Sequence, residues 1–350
     1  MDLKPTTVAA PVIEQAAAAG AIDEFKRRVD AGLRVAVLEL DEPVRRVVSY
    51  HFGWTTADGQ PSNGDCGKML RPAIVIRCAQ AVGGSWDSAL PGAVAVELAH
   101  NSSLLQDDVM DHDRLRRHRP TAWTVFGESA ALLAGDALIV LALSVLLRHG
   151  SASRVTAANA LAETYQRLVV GQVLDLDFEA RSSVTTEDCY RMADGKTASL
   201  LACAARLGAV LGGADTATTT ALEAFGRHLG LAFQLVDDVL GIWGNPARTG
   251  KPVGADIRTR KKSLPVAFAL SIAEPSDDLT EFYTQSHVPD DEQIRSVTAR
   301  LGALGALAWT RAETDQHLQA ATRSLDEAHL SATGREELLA LIDFAGTRTW

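Results

Sequence analysis

The sequence contains few cysteines and few aromatic residues. Four cysteines, Cys66, Cys78, Cys189 and Cys203, are scattered over 350 residues without the paired spacing of zinc ligands or of a disulfide framework. Aromatic residues make up 5% of the chain. Alanine and leucine dominate instead, and both have a high helix propensity. The composition therefore predicts an all-α protein without structural zinc in a reducing compartment.

The chain also lacks a positive net charge and a long uninterrupted apolar run. Its formal charge of −10 argues against a nucleic-acid partner, because such binding depends on cations that neutralise phosphates. The most apolar stretch, residues 129–147, is interrupted by Asp136 and is left too short to span a bilayer. We expect a buried core helix there and no transmembrane segment. No signal peptide is evident, so a cytoplasmic location is expected.

Apolar residues recur at helical spacing from Ala21 onward, and short separators contain Gly, Pro, Ser, Asp or Asn. Residues 1–20 are expected to be an N-terminal extension, either a frayed end or a dispensable first helix. Residues 21–350 are expected to form one domain, a bundle of antiparallel helices. The predicted helices cover residues 68–82, 88–110, 121–148, 153–180, 185–211, 216–243, 262–273, 290–302, 304–328 and 333–345.

An aspartate-rich segment ends the second of these helices. Asp107, Asp108 and Asp111 are spaced so that all three can point into one cleft. Carboxylates held close together repel each other, so a cluster entering a cleft requires cations, and hard oxygen ligands suit Mg²⁺. Alone, the motif would more often be a solvated helix end, but the arginines of residues 114–119 follow at once. Arginine binds phosphate oxygens bidentately, which favours a diphosphate site over a structural ion-pair network.

A second aspartate pair, Asp237 and Asp238, lies near the end of another apolar helix. The segment after it, residues 249–262, combines loop residues with several cations. Two such pairs on separate helices suggest opposite walls of one pocket. Gln172, Asp175 and Lys196 are weaker candidates, since each alone is more often a surface or capping residue.

At these residues the sequence resembles the trans-isoprenyl diphosphate synthases, the polyprenyl synthetase family, over roughly residues 60–270. It is similar to short-chain members such as geranylgeranyl diphosphate synthases. The resemblance implies an isoprenoid synthase fold, with one helical bundle around a deep central cavity, and a homodimer. It also implies three Mg²⁺ ions per active site, held by Asp107, Asp108, Asp111, Asp237 and Asp238.

The resemblance assigns two diphosphate sites. The isopentenyl diphosphate site corresponds to Lys68, Arg71, His100 and Arg117. The allylic diphosphate, whether dimethylallyl, geranyl or farnesyl, corresponds to Arg116, Lys196, Thr197, Gln234, Lys251 and Lys261. The residues expected to act in catalysis are Asp107, Asp108, Asp111, Arg116, Lys196, Asp237, Asp238 and Lys251.

The sequence departs from the family's pattern at several positions. Gly241 stands where many relatives have a third Asp, and Met69, Cys66 and Gln106 replace common residues near the two sites. Ser102 and Ser103 lie one turn before Asp107, where bulky aromatic residues commonly stop the product at fifteen carbons, so a C20 product is expected. The alternatives are a class I terpene cyclase and a non-catalytic partner subunit of a heteromeric synthase.

Overall fold

The computed structural model describes residues 24–347, apart from residues 63, 65, 66, 68, 245–252, 275 and 286. The expected N-terminal extension lies outside this part, as do Cys66, Lys68 and Lys251. The described part of α1 covers residues 24–37. The other helices are α2 (Val44–His51), α3 (Leu70–Ala81), α4 (Trp86–Met110), α5 (Ala122–Phe126), α6 (Glu128–Leu147), α7 (Ala152–Ala180), α8 (Thr186–Ala193), α9 (Ser199–Gly212), α10 (Thr216–Trp243), α11 (Ala255–Arg258), α12 (Leu264–Ile272), α13 (Asp278–Thr284), α14 (Asp291–Ala303), α15 (Ala306–Asp326) and α16 (Ala332–Thr347).

The all-α prediction is confirmed. Most predicted helix ranges match observed ones to within a few residues, and the ends carry the capping residues that helices favour, such as Ser151, Thr185 and Asp215. The range 121–148 contains two helices instead of one, because Gly127, at φ 91°, ends α5 and precedes α6. The range 185–211 is divided by a π-helical turn into α8 and α9. The helices α2, α11 and α13 and a two-stranded hairpin were not predicted.

The chain divides into two compact units. Unit 1 comprises the chain up to Pro72 together with Ala93–Arg148, and unit 2 comprises Ala73–Gly92 together with His149–Trp350. The expectation that residues 21–350 form one domain stays a prediction.

Unit 1 is built around the carboxyl-terminal part of α4 and around α2, α5 and α6. A hairpin in this unit pairs β1 (Leu115–Arg116) with β2 (Arg119–Pro120) in antiparallel register. Tyr50 at the end of α2 donates a hydrogen bond to the carbonyl of Pro120 at 2.9 Å. Phe52 and Trp54 stack with ring centroids 4.5 Å apart. The first contact joins the end of α2 to the hairpin that carries the predicted arginines, and Arg119 of the hairpin donates to the carbonyl of Thr55 in the loop after α2 at 3.2 Å.

Helix α6 is less buried than the sequence suggested. Its buried residues, among them Ala131, Leu138 and Leu146, form one stripe at helical spacing. On other faces, Leu133 is 61% exposed and Val140 is 64% exposed. Only 39% of the most apolar 18-residue stretch of α6 is buried. By length and composition alone, the helix could cross a membrane. The expectation of a buried core helix is met on one face only, since another apolar face of α6 lies open in the described structure.

Unit 2 is centred on α10, which packs against α9 and α15. Glycines allow the helix backbones to come close, since a β-carbon at Gly226 would lie 2.9 Å from the α-carbon of Ala202. Between α8 and α9 the chain forms one π-helical turn, Asp194–Ala198. Such turns widen a helix locally and are common at functional sites. This turn contains Lys196 and Thr197.

Candidate active site

The first aspartate motif lies at the end of α4, and its three carboxylates differ in solvent exposure. Asp108 is buried at 1% exposure, Asp107 is half-buried and Asp111 is exposed. The predicted spacing along one helix turn is therefore present, but only Asp108 is enclosed. Burial raises the pKa of Asp108, and the guanidinium of Arg116 opposes that rise.

The hairpin after α4 brings Arg116 to this buried carboxylate. Arg116 donates to Asp108 Oδ1 from Nε at 2.7 Å and from NH2 at 2.6 Å. The other oxygen, Asp108 Oδ2, is buried and has no hydrogen-bond donor among the described residues. A buried carboxylate oxygen without a donor is costly, so this atom suits a cation or a water that the cation holds.

The hairpin turn itself is strained. Its two central residues, Arg117 and His118, have φ values of 50° and 61°, the sign that a type I′ turn requires. Asn and Gly normally occupy these positions, and other side chains cost about 1–3 kcal/mol each there. The conformation lets Arg117 lie against Gly67, where a β-carbon would be 2.6 Å from Arg117 NH2. Arg117 is thus brought next to the segment that leads into the predicted isopentenyl site.

Two other residues of that predicted site meet directly. Arg71 NH1 lies 3.2 Å from His100 Nε2. Because arginine can only donate, the imidazole accepts through Nε2. Burial first, and then Arg71 and Arg117, hold the pKa of His100 well below its ordinary value. Arg71, His100 and Arg117 therefore share one region, while Lys68 lies outside the described residues.

A series of hydrogen bonds between buried polar side chains was not predicted from the sequence. His51 Nε2 lies 3.1 Å from Asn101 Oδ1, and Asn101 Nδ2 donates to Glu97 Oε1 at 3.0 Å. Glu97 is 3% exposed. The signal was present in the sequence, because Glu97, His100 and Asn101 interrupt an apolar helix at positions i, i+3 and i+4. His51 could not be paired with them from sequence, since it belongs to another helix.

The two serines proposed to control product length point in different directions. Ser102 is fully buried and donates from Oγ to the carbonyl of Gly135 on α6 at 2.7 Å. Ser103 donates to the carbonyl of His100 within its own helix, at 2.8 Å. Ser103 is four residues before Asp107 and therefore lies on the same helix face. Ser102 packs two helices together, which leaves Ser103 as the better-placed position for a product-length role.

In unit 2 the second aspartate pair has one half-buried and one buried carboxylate. Asp237 is half-buried, and Asp238 is 3% exposed. Asp238 Oδ1 accepts from Gln234 at 2.7 Å, and Oδ2 accepts from the backbone N–H of Leu264 at 3.1 Å. Thr197 donates in turn to Gln234 at 2.7 Å. This relay holds the predicted residues Thr197, Gln234 and Asp238 in fixed positions.

The π-helical turn places Lys196 beside Asp175 of α7, with Nζ 2.5 Å from Oδ2. Although burial acts in the opposite direction, the charges of Lys196 and Lys261 hold the pKa of Asp175 below its ordinary value. Lys261 also opposes the effect of burial, which raises the pKa of Asp238 to about 7. Lys196 and Lys261 thus belong to one charged region of unit 2, and Lys251 lies outside the described residues.

Sequence and structure comparisons decide the family. The chain matches the polyprenyl synthetase family over residues 61–301. It belongs to the polyprenyl synthetase family. A polyprenyl synthetase from Streptomyces coelicolor A3(2) is 42% identical, with a TM-score of 0.87 over 93% of this chain and 99% of that one. The isoprenoid synthase fold expected from the motifs is thereby confirmed.

Other family members carry different names. A (2E,6E)-farnesyl diphosphate synthase of Mycobacterium bovis is 46% identical, over 82% of this chain and 81% of the relative. A geranylgeranyl diphosphate synthase of Mycobacterium tuberculosis is 41% identical, over 87% of this chain and 88% of the relative. A geranylgeranyl pyrophosphate synthase from Corynebacterium glutamicum was solved with isoprenyl diphosphate and magnesium. It is 27% identical, with a TM-score of 0.79 over 93% of this chain and 98% of that one.

The buried His51 predicts that the stability of the protein falls in acid. Burial and the nearby arginines lower the pKa of His51 from 6.5 to about 3. The folded protein therefore binds this proton less readily than the unfolded chain, and stability falls as the pH drops from 6.5 towards 3. Replacing His51 by Gln keeps a donor for Asn101 and removes the titration. As the pH is lowered below 6.5, we expect the free energy of unfolding of His51→Gln to fall by about 1.4 kcal/mol less per pH unit than that of the wild type.

The measurement is denaturant unfolding at pH 7, 6 and 5. His149→Gln is the control, because His149 is exposed and should leave the profile unchanged. Equal slopes for wild type and His51→Gln would contradict the assignment.

The π-helical turn predicts a strict requirement for glycine at position 171. A β-carbon there would lie 2.6 Å from the carbonyl carbon of Gly195 and 2.8 Å from the α-carbon of Lys196. We expect Gly171→Ala to destabilise the protein by about 1–3 kcal/mol through overpacking. Gly302→Ala is the matched control, since nothing lies within 4 Å of its β-carbon position. Denaturant unfolding checks this, and equal stability of the two variants would refute the close packing.

Proposed function

We propose that this chain is a Mg²⁺-dependent trans-prenyltransferase that couples isopentenyl diphosphate to an allylic diphosphate and releases a linear prenyl diphosphate. The buried Asp108 carboxylate carries the proposal, because one oxygen holds Arg116 while the other has no donor among the described residues. That arrangement serves to place a cation and a guanidinium side by side, which is what a diphosphate needs.

The donor set fits Mg²⁺. Hard carboxylate oxygens at Asp107, Asp111 and Asp237, on exposed or half-buried positions, leave room for water and phosphate oxygens. The related structure from Corynebacterium glutamicum was solved with magnesium. When bound, Mg²⁺ would supply positive charge to the departing diphosphate. We propose three ions per site, held by Asp107, Asp108, Asp111, Asp237 and Asp238.

The protein's own cations have defined parts in this reaction. Arg116, Lys196, Lys251 and Lys261 would stabilise negative charge on the leaving diphosphate as its bond to the allylic carbon breaks. Thr197 and Gln234 would bind the same group. The double bond of isopentenyl diphosphate then attacks the allylic carbon, and a proton leaves to the released diphosphate. No separate protein base is needed.

The isopentenyl diphosphate would be held by Lys68, Arg71, His100 and Arg117. The contact between Arg71 and His100 supports this, since a neutral imidazole orients the guanidinium without cancelling its charge. A terpene cyclase would not need this second cationic site, which makes that alternative weaker. A non-catalytic partner subunit is disfavoured because both aspartate motifs keep ordered, buried members.

For the product we propose geranylgeranyl diphosphate. The relatives include both farnesyl and geranylgeranyl diphosphate synthases, so family membership leaves the length open. The small side chain of Ser103, on the same helix face as Asp107, supports room for a C20 tail.

The proposed activity is tested by incubating the purified chain with Mg²⁺, isopentenyl diphosphate and each allylic starter, and sizing the products. We expect geranylgeranyl diphosphate from the wild type. We expect Asp111→Asn, at an exposed position, to lower turnover by about 100-fold with unchanged helicity, because the amide lacks the negative charge and the second oxygen of the carboxylate. Asp315→Asn, an exposed carboxylate on α15, is the control. No product from the wild type with any starter would refute the function.

Product length should respond to one serine and not to the other. We expect Ser103→Phe to shift the product towards C15 or shorter, because the ring would narrow the space beyond Asp107. Ser102→Phe should instead destabilise the fold, because Ser102 is fully buried where α4 meets Gly135. Product sizing and thermal unfolding of both variants separate the effects. An unchanged product distribution in Ser103→Phe would place the length limit elsewhere.

We also propose a homodimer that covers the open apolar face of α6. This face includes Leu133, Val140 and Leu147, which are 61%, 64% and 49% exposed. We expect Val140→Asp to produce monomers, because a charge would be buried in the contact. Val288→Asp, at an 83% exposed residue in unit 2, is the control. Sedimentation equilibrium measures the change, and an intact dimer in Val140→Asp would exclude this face.

A further inference from the structure

We propose that His51 is a positioning residue for Arg116 and Arg117 of the hairpin, with its Nδ1 atom accepting a hydrogen bond from their guanidinium groups. Asn101 and Glu97 hold the imidazole in the tautomer that makes this possible. The role of the two arginines towards diphosphates rests on the proposed function, whereas the tautomer follows from contacts within unit 1 alone.

The side-chain amide of Asn101 has only one possible orientation. Its Nδ2 atom lies 2.8 Å from the backbone carbonyl oxygen of Glu97 and 3.0 Å from Glu97 Oε1. A carbonyl oxygen can only accept a hydrogen bond, so the part of the amide that faces Glu97 must be the NH₂ group. Both residues are buried, so water does not compete for these contacts. The side-chain oxygen of Asn101 therefore faces His51.

This orientation determines which nitrogen of His51 carries the proton. His51 Nε2 lies 3.1 Å from Asn101 Oδ1. Because an amide oxygen can only accept, Nε2 carries the hydrogen and donates it. Burial, and then the charges of Arg116, Arg117 and Arg119, lower the pKa of this ring to about 3, so the imidazole is neutral at pH 7. A neutral imidazole has one N–H, so Nδ1 is an acceptor.

Guanidinium groups lie next to this acceptor. His51 lines a small cavity together with Arg116, Arg117 and Arg119. The cavity has a volume of about 20 Å³, which is room for one water molecule. A hydrogen bond from an arginine to His51 Nδ1 is therefore direct or passes through a single water.

The hydroxyl groups that line the same cavity are engaged elsewhere. Tyr50 and Thr121 each donate to a backbone carbonyl, at 2.9 and 2.7 Å. Arginine has five N–H donors. Arg116 donates from Nε and NH2 to Asp108, and its other N–H groups remain for a further acceptor. The arginines are thus the donors that suit the Nδ1 atom.

A neutral acceptor suits cations that have to bind a diphosphate. Asp108 holds Arg116 with a full negative charge, which cancels part of the positive charge. An imidazole nitrogen fixes the direction of a guanidinium N–H and leaves the charge available for phosphate oxygens. The contact between His100 Nε2 and Arg71 NH1, at 3.2 Å, is of this kind. His51 thus serves the hairpin as His100 serves Arg71.

Two substitutions separate positioning from a purely structural link. The amide of glutamine ends at the ε position of the side chain, and that of asparagine ends at the δ position. His51→Gln therefore keeps a donor for Asn101 and loses the acceptor at the Nδ1 position. His51→Asn keeps an acceptor near the Nδ1 position and loses the donor for Asn101. His149→Gln, at an exposed residue, is the control.

Steady-state kinetics with Mg²⁺ and an allylic diphosphate measure the effect, and thermal unfolding verifies that each variant is folded. We expect His51→Gln to raise KM for isopentenyl diphosphate, the substrate of Arg117, by about 10-fold with kcat little changed, because a hydrogen bond to a charged group is lost. His51→Asn should recover most of that loss, and His149→Gln should behave as the wild type does.

A purely structural link predicts the reverse order of the two variants. Wild-type KM in His51→Gln, or a folded His51→Asn whose KM is no lower than that of His51→Gln, would overturn the inference.

The second measurement observes the tautomer and needs no substrate. The wild type is labelled with ¹⁵N-histidine, and the signals of His51 are identified by their loss in His51→Gln. We expect the nitrogen chemical shifts of a neutral ring at pH 7, with the proton on Nε2 and none on Nδ1. A proton on Nδ1, in a neutral or a charged ring, would also overturn the inference.

These results are distinguishable from failure of the proposed function. A wild type that forms a prenyl diphosphate but carries the His51 proton on Nδ1 refutes only the role of His51. A wild type that forms no prenyl diphosphate from any starter refutes the function, and the role of His51 towards diphosphates with it, whichever tautomer is observed.

Discussion

The structure depends on the burial of carboxylates at the ends of two long helices. Asp108 on α4 and Asp238 on α10 are 1% and 3% exposed. A buried carboxylate is tolerated only with donors or cations around it. Arg116 donates to one of the two carboxylate oxygens of Asp108. The side-chain amide of Gln234 and the backbone N–H of Leu264 donate to the two oxygens of Asp238. The buried member of each pair is thus held by its surroundings, while the neighbouring Asp107 and Asp237 are half-buried.

Local backbone geometry places the cations that accompany these carboxylates. Arg116 and Arg117 are on a hairpin whose turn holds two non-glycine residues at positive φ. Lys196 is on a π-helical turn that presses against Gly171. Both are unfavourable local conformations held by contacts around them. Such strain is found where the position of a side chain matters for function.

The helices and the two aspartate motifs could be predicted from sequence, because apolar periodicity and local spacing are properties of a single segment. The hairpin at residues 115–120 could not, since its strands have two residues each and its turn lacks the usual Asn and Gly. The pairing of His51 with Asn101 joins distant segments and needs tertiary structure. The exposed apolar face of α6 was also missed, because composition cannot separate a core helix from one that is half open.

The clearest limit of the sequence concerns Gly241. Read along the chain, a glycine in an aspartate motif is a lost ligand. In three dimensions its missing side chain makes room for the carboxylate of Asp256, fifteen residues later in the numbering. A motif defined by spacing on one helix cannot register a carboxylate that arrives from another element.

The central claim is that both aspartate motifs hold divalent cations for a diphosphate. Anomalous X-ray diffraction from crystals grown with Mn²⁺ and inorganic pyrophosphate tests it most directly. We expect manganese peaks within coordination distance of Asp107 or Asp111 and of Asp237, with pyrophosphate oxygens completing their coordination shells. Pyrophosphate bound without manganese at either motif, or manganese at only one of them, would contradict it.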